Sequence, residues 1–291
     1  MSGGPFMSLH VLGAGAAFSR RYGTTCSLLT MRNGERWLVD CGRQAPEQLA
    51  SAGLSWHQIT GQLVTHVHGD HVYGMEEFAF VRYYCSDDCS QSVVKGGTRP
   101  RLAAHSAVLA ELWEVLGPSL RYRSNSNGEP VDGCLEDYFE VLVPVSVEPP
   151  AHARWNHAEA FCTPELSFVV RETRHVYGKP STSFELALPG ENGRIAWWSG
   201  DSVVDVDQLQ QLAARTSIFF HDCTFMKVPG QVHGLFSDFE KLAPALRQKI
   251  VLMHHEDDIE QYRARAEGLG FRLAMPGDVY DLHSGARIRS A

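Results

Sequence analysis

Between positions 65 and 71 the chain reads Thr65-His66-Val67-His68-Gly69-Asp70-His71, directly after a short apolar run. A His-x-His-x-Asp-His pattern arises by chance about 0.002 times in a chain of this length and composition. On a loop that closes a strand, side chains two apart project the same way, so His66 and His68 can hold one divalent ion. Asp70 and His71 then turn back to hold a second ion a few ångströms away. The bland alternative is a polar loop of histidines satisfied by hydrogen bonds. Histidine is also abundant overall, 14 of 291 residues, which suits metal or proton-transfer chemistry.

These residues must be carried by a folded scaffold, and the composition supplies one. With 44% hydrophobic and 21% charged residues, the chain can bury a sizeable core, and disorder, collagen and coiled coil are excluded. The formal net charge of -8 opposes the coating of long phosphate backbones. Seven cysteines, odd in number and scattered, read as reduced thiols of a cytoplasmic protein. Cys85 and Cys89 lack the second nearby pair that a further zinc site needs. Residues 1–7 lack the basic and apolar regions of a signal peptide, and no apolar run approaches the ~18 residues of a membrane span.

Apolar runs at 8–12, 26–31 and 36–39, with Asn33-Gly34 as a turn signal, predict an antiparallel β opening. A helix at 46–52 and a strand at 62–65 lead into the histidine-rich loop, and a helix follows at 75–84. Further helices are expected at 105–116, 237–248 and 257–269. Strands are expected near 135–147, 167–173, 184–188, 194–198, 217–220 and 250–253. Residues 86–100 and 124–133 read as loop insertions. No linker divides the chain, which predicts a single layered α/β domain over 1–291.

The histidine motif, Leu12-Gly13-Ala14-Gly15-Ala16-Ala17, Thr24-Thr25-Cys26-Ser27 and Leu38-Val39-Asp40-Cys41-Gly42 together resemble the metallo-β-lactamase superfamily. Within it they resemble the ribonuclease Z and cyclic-nucleotide phosphodiesterase branch. The resemblance implies a four-layer αββα sandwich with a dinuclear metal site at the sheet edges, and a homodimer. It implies that Asp40 supports the metal loop from behind. It also implies that the remaining ligands are His175, ahead of Gly178-Lys179-Pro180-Ser181, Asp201 after Trp197-Trp198-Ser199-Gly200, and His254 after Ile250-Val251-Leu252-Met253. His255 is the rival for His254, and His152 or His157 for His175.

Asp201 is then the bridging carboxylate that keeps two cations close, and a water shared by the ions loses a proton at neutral pH. The resemblance implies that metal-bound hydroxide of this kind is the nucleophile toward phosphorus. Imidazole and carboxylate donors without thiolates make Zn²⁺ the default and Mn²⁺ the alternative. Phe220-His221-Asp222-Cys223-Thr224-Phe225 resembles the branch's His-Glu-Ala-Thr motif, with Asp222 for glutamate and Cys223 for alanine. With His233 in Val232-His233-Gly234-Leu235, this implies a general acid, His233, oriented by Asp222, that protonates a leaving oxygen.

Transfer-RNA 3′-processing enzymes of the branch carry a long arm between the third histidine and the bridging aspartate. Here two predicted strands fill the interval from His175 to Asp201, so transfer RNA is disfavoured and a small phosphodiester, a cyclic nucleotide above all, is the expected substrate. Lys179 and Ser181 beside His175 are candidates for phosphate contact. In residues 73–84, Tyr73, Phe78 or Tyr83 could stack on a base while Arg82 holds phosphate. The preferred reading of that segment is a helix packing Phe78 and Val81 into the core or a dimer interface. The competing functions are lactone or other carbonyl-ester hydrolysis at the same ions, and a nucleotide-binding protein without turnover.

Overall fold

Alternation of apolar side chains along the strands decides the layering. In Cys26–Thr30 and Arg36–Val39, Leu29, Trp37 and Val39 enter one core while Leu28 and Leu38 enter another. In Ile195–Ser199, Ala196 and Trp198 join the first core, and Ile195 and Trp197 a third. Strands buried on both faces must lie between other layers. The computed structural model, which describes residues 7–85, 93, 97–125, 127–147, 158–188, 190 and 192–290, places them so.

One eight-stranded sheet runs in the order Arg287–Arg289, Val279–Asp281, Ser8–Gly13, Cys26–Thr30, Arg36–Val39, Gly61–Leu63, Arg101–Ala103, Glu140–Val141. The other eight-stranded sheet runs Arg272–Leu273, Ile250–Met253, Thr216–Asp222, Ile195–Ser199, Thr182–Ala187, Ser167–Glu172, Ala158–Cys162, Val145–Val147. Their inner faces share one core, where Trp37 meets Phe168 edge to face at 6.4 Å. Helices Ala45–Ser51, Met75–Tyr84 and Ser106–Leu120 cover the first sheet through Leu49, Phe78 and Leu112. Helices Val206–Leu212 and Glu260–Gly268 cover the second through Leu209 and Ala266. This is the expected αββα order. Among the described residues, no helix is long and apolar enough to cross a membrane.

Strand direction then gathers the site. Arg36–Val39 and Gly61–Leu63 are parallel, as are Ile195–Ser199, Thr216–Asp222 and Ile250–Met253, so within each set the chain leaves the sheet at one edge. Two antiparallel steps, through Thr182–Ala187, give Ser167–Glu172 the direction of Ile195–Ser199. Asp40, the His66–His71 loop, His175, Asp201, Asp222 and His254 all sit at the C-terminal ends of these strands. Backbone bridges His66 to Ser181 and Gly15 to His255 join the two sheets at that edge.

Four expectations need correction. Residues 135–138 form a helix, Leu135–Tyr138, because Cys134 and Asp137 cap its start and Leu135 and Tyr138 pack inward; strands Glu140–Val141 and Val145–Val147 follow in different sheets. The helix expected at 237–248 is two short ones, Phe236–Phe239 and Pro244–Arg247, since Pro244 has no N–H to continue the first and is favoured at the start of the second. Tyr122–Ser124 and Pro130–Asp132 make an exposed hairpin within the expected 124–133 loop, too polar to show alternation. The helix beginning at Ser106 also runs on to Leu120, with Pro118 inside it. Most of the 86–100 insertion, Cys89 included, lies outside the described residues.

Candidate metal centre

The loop that carries the histidines is held by buried hydrogen bonds to one residue. Asp40 adopts a left-handed backbone at φ 59°, a conformation that costs a non-glycine residue of order 1–3 kcal/mol. There its carboxylate accepts from the Thr65 N–H and hydroxyl, each at 2.8 Å, and meets Nδ1 of His71 at 2.8 Å. The last contact fixes the ring so that Nε2 of His71 points into the site. Close backbone packing keeps the loop in place. A Cβ on Gly42 would lie 1.9 Å from the carbonyl oxygen of Asp70, so only glycine fits. The second sheet contributes Thr182, whose hydroxyl donates to the Thr65 carbonyl at 2.8 Å.

Two ligand sets converge from these supports. His66, His68, His175 and Asp201 form one, and Asp70, His71, Asp201 and His254 the other; in each set the ligand atoms lie within 4.8 Å of one another. Asp201 belongs to both, as a bridging carboxylate must. Its Oδ2 lies 3.6 Å from Nε2 of His66, 3.5 Å from Nε2 of His71 and 3.4 Å from Nε2 of His254. Nε2 of His66 and Nε2 of His175 face Nδ1 of His68 at 3.1 and 3.2 Å. Ring nitrogens crowded on a common point are poor hydrogen-bond partners for each other but a normal shell for a cation. Nε2 of His71 is buried without a hydrogen-bond partner, which a metal ion would satisfy. The residues therefore fit bound divalent metal.

The electrostatics agree. Burial, reinforced by His71, holds the pKa of His66 well below its ordinary value, and burial with His175 lowers that of His68 to about 4, so both rings offer lone pairs. Burial works against charge on Asp70 and Asp201, yet His71 outweighs it for Asp70, and His254 with His71 for Asp201. Both carboxyls stay below the usual carboxylate range. Their demand for positive charge shows in the neighbours. Despite burial, Asp201 and Asp70 push His254 up to about 9.

A third group stands beside the two sets. Oδ2 of Asp222 meets Nδ1 of His233 at 3.1 Å and accepts from the Gly234 N–H at 3.3 Å, while its Oδ1 lies 2.9 Å from Nδ1 of buried His221. Burial opposes the charge on Asp222, but its bonds to His221 and His233 prevail and lower its pKa. The His233 ring stacks on His254 at 4.9 Å, and Nδ1 comes within 3.7 Å of Oδ2 of Asp201. Its side chain remains 28% accessible.

Other sequence candidates fall elsewhere. His255 turns away, with Nε2 on the Ala274 carbonyl at 3.0 Å and its ring edge on Tyr22, which leaves His254 at the centre. His152 and His157 lie outside the described residues. Arg82 is buried and donates to the carbonyls of His57 and Thr98, so the guanidinium braces the fold. Phe78 is fully buried, as the packing reading of that helix expected. Lys179 pairs with Glu111 at 2.7 Å, and the Ser181 hydroxyl donates to the Asp201 carbonyl at 2.9 Å, bracing the bridging residue. Tyr73 is exposed beside the metal loop. Sequence reasoning missed Thr65 and Thr182; hydroxyl residues at the ends of apolar strands were the available signal.

Asp40→Asn tests the support directly. The change keeps the size and the tolerance of left-handed backbone but presents an N–H₂ where Thr65 and His71 donate. Metal affinity should fall about 10- to 100-fold in a competitive chelator titration, with the far-ultraviolet circular dichroism unchanged.

The family described as anti-Pycsar protein Apyc1 matches residues 7–276. The anti-Pycsar protein Apyc1 of Paenibacillus harenae is 30% identical over 277 residues, covering 95% of this chain and 100% of that protein. That of Bacillus phage 010DV004 is 29% identical over 95% of this chain and 98% of its own. Among solved structures, the short form of human tRNase Z superposes with a TM-score of 0.61 at 22% identity, over 95% of this chain and 99% of that one. The metallo-β-lactamase fold protein YhfI of Bacillus subtilis superposes with a TM-score of 0.64 at 14% identity, over 94% of this chain and 99% of that one, which places the fold.

Proposed function

This chain belongs to the anti-Pycsar Apyc1 family, and from that footing we propose that it is a metal-dependent phosphodiesterase that opens the ring of a cyclic nucleotide. The observation that carries the reading is the Asp222–His233 pair set against Asp201, the carboxylate common to both candidate ligand sets. A hydrolase acting on an activated ester, whose leaving group departs without a proton, has little use for a positioned acid. A nucleotide's ring oxygen leaves as an alkoxide, which needs a proton.

His66, His68, His175 and Asp201 would hold one ion, and Asp70, His71, Asp201 and His254 the other. The donor set, imidazole and carboxylate without thiolate, supports Zn²⁺ first and Mn²⁺ second. When bound, such a pair supplies a nucleophile at neutral pH and neutralises charge growing on the phosphoryl oxygens. The chain's own residues do the rest. Asp40, Thr65 and Ser181 hold the ligands in register. Asp222 orients His233 through Nδ1, so that Nε2 can deliver a proton to the leaving oxygen. His221 and the Gly234 N–H fix Asp222 in turn.

The span from His175 to Asp201 is filled by strands Thr182–Ala187 and Ile195–Ser199, leaving no arm to grip transfer RNA, and the net charge of -8 supports a small substrate over a long nucleic acid. The described cysteines are all free thiols, which supports a reducing, cytoplasmic setting. Purified protein loaded with Zn²⁺ or Mn²⁺ is assayed against cyclic nucleotides, a γ-lactone and an unstructured RNA. Conversion of a cyclic nucleotide to the linear monophosphate is expected. Hydrolysis of the lactone alone overturns the reading.

A further inference from the structure

Resting on the cyclic-nucleotide reading, we propose that the cleft between the loops after Ser8–Gly13, Thr216–Asp222 and Ile250–Met253 is the nucleobase subsite, with Phe18 as its stacking wall and Glu256 as its hydrogen-bond acceptor. The cleft has a volume of about 360 Å³ and is lined by Phe18, Met226, Val228, His233, His254 and Glu256 among others. That is near the lower limit of small-ligand pockets and suits one base with part of its sugar.

Reach argues for this cleft. The ribose of a cyclic nucleotide carries both the leaving oxygen and the base, so a base must lie within one sugar's width of the acid that protonates that oxygen. His233 and His254 form the inner wall of this cleft. A second cleft, along residues 172–181, includes His175 but not His233.

The walls argue for a flat, uncharged ring. Phe18 is 86% exposed, and Met226 and Val228 are 50% and 48% exposed; three such side chains around one cleft offer an apolar face to a ligand. The polar lining is largely committed. Asp257 accepts from the Ser19 hydroxyl and the Arg20 and Arg21 N–H groups, and Oε1 of Gln231 from the Val232 and His233 N–H groups. Glu256 receives the Thr224 hydroxyl on Oε1, and its Oε2 has no partner among the described residues. Two carboxylates at this end repel phosphate and accept from N–H donors, so the substrate is oriented with phosphate at the ligand sets and a base amino or ring N–H at Glu256.

Phe18 is too exposed to matter for folding, so Phe18→Ala isolates binding. Against adenosine 3′,5′-cyclic phosphate, KM should rise about tenfold with kcat lowered by no more than about twofold. Wild-type protein should favour that substrate over the cyclic phosphate of unsubstituted purine riboside by about fivefold, and Glu256→Ala should bring the ratio near one. An unchanged KM in Phe18→Ala, or a fall confined to kcat, overturns the stacking wall. A wild-type ratio near one, or a ratio unmoved in Glu256→Ala, overturns the acceptor. Failure of wild-type protein to cleave either cyclic nucleotide overturns the parent reading instead.

Discussion

Asp201→Asn is expected to lower kcat/KM for a cyclic nucleotide by about three to four orders of magnitude, ~4–5.5 kcal/mol of transition-state stabilisation. Asp201 is the one residue shared by both ligand sets, and its Oδ2 is the atom on which His66, His71 and His254 converge. Asparagine fills the same space, so the backbone hydrogen bond from Ser181 to the Asp201 carbonyl survives. What is lost is the negative charge that lets two cations lie close together. Elemental analysis after desalting should find about one ion fewer than in wild type. Retention of both ions and of activity would mean that the bridge lies elsewhere.

His233→Ala should lower kcat for a cyclic nucleotide by about 10²–10⁴-fold while leaving bis(p-nitrophenyl) phosphate within about tenfold, since p-nitrophenoxide leaves without a proton. The contrast is the point of the experiment. Damage to the metal centre would slow both substrates alike, whereas loss of an acid slows only the poor leaving group. Asp222→Asn should reproduce the pattern, and the double variant should be little worse than His233→Ala, because Asp222 acts through the ring it orients. Equal losses on both substrates would assign His233 to the structure of the centre.

The candidate ligands became legible by two routes. The spacing within residues 65–71 offered His66, His68, Asp70 and His71 directly, and the family resemblance supplied His175, Asp201 and His254 just beyond later strands. The four-layer order came from the family resemblance, and strands such as Ile195–Ser199, apolar on both faces, show why it holds: they cannot lie at a surface. Arg82 illustrates what was not legible. A cation in an aromatic segment reads as a phosphate contact, but only the fold reveals that the carbonyls of His57 and Thr98 lie where the guanidinium ends. Ser181 was placed beside the site on sequence grounds, and its hydroxyl turns to the Asp201 backbone. Phe18 and Glu256 lie on loops more than two hundred positions apart, and such loops carry no periodic signal that predicts their meeting. The 135–147 segment failed locally, because the Cys134–Asp137 cap competes with an apolar pattern that also suits a strand.

The central claim is that the site cleaves a phosphodiester by attack of water at phosphorus. It is tested most directly by incubating metal-loaded protein with a 3′,5′-cyclic nucleotide in ¹⁸O-labelled water and recording the product by ³¹P NMR and mass spectrometry. The expected product is a linear nucleoside monophosphate carrying one ¹⁸O on phosphorus. Recovery of unchanged cyclic nucleotide, or of a product with the label on the sugar carbon, would contradict it.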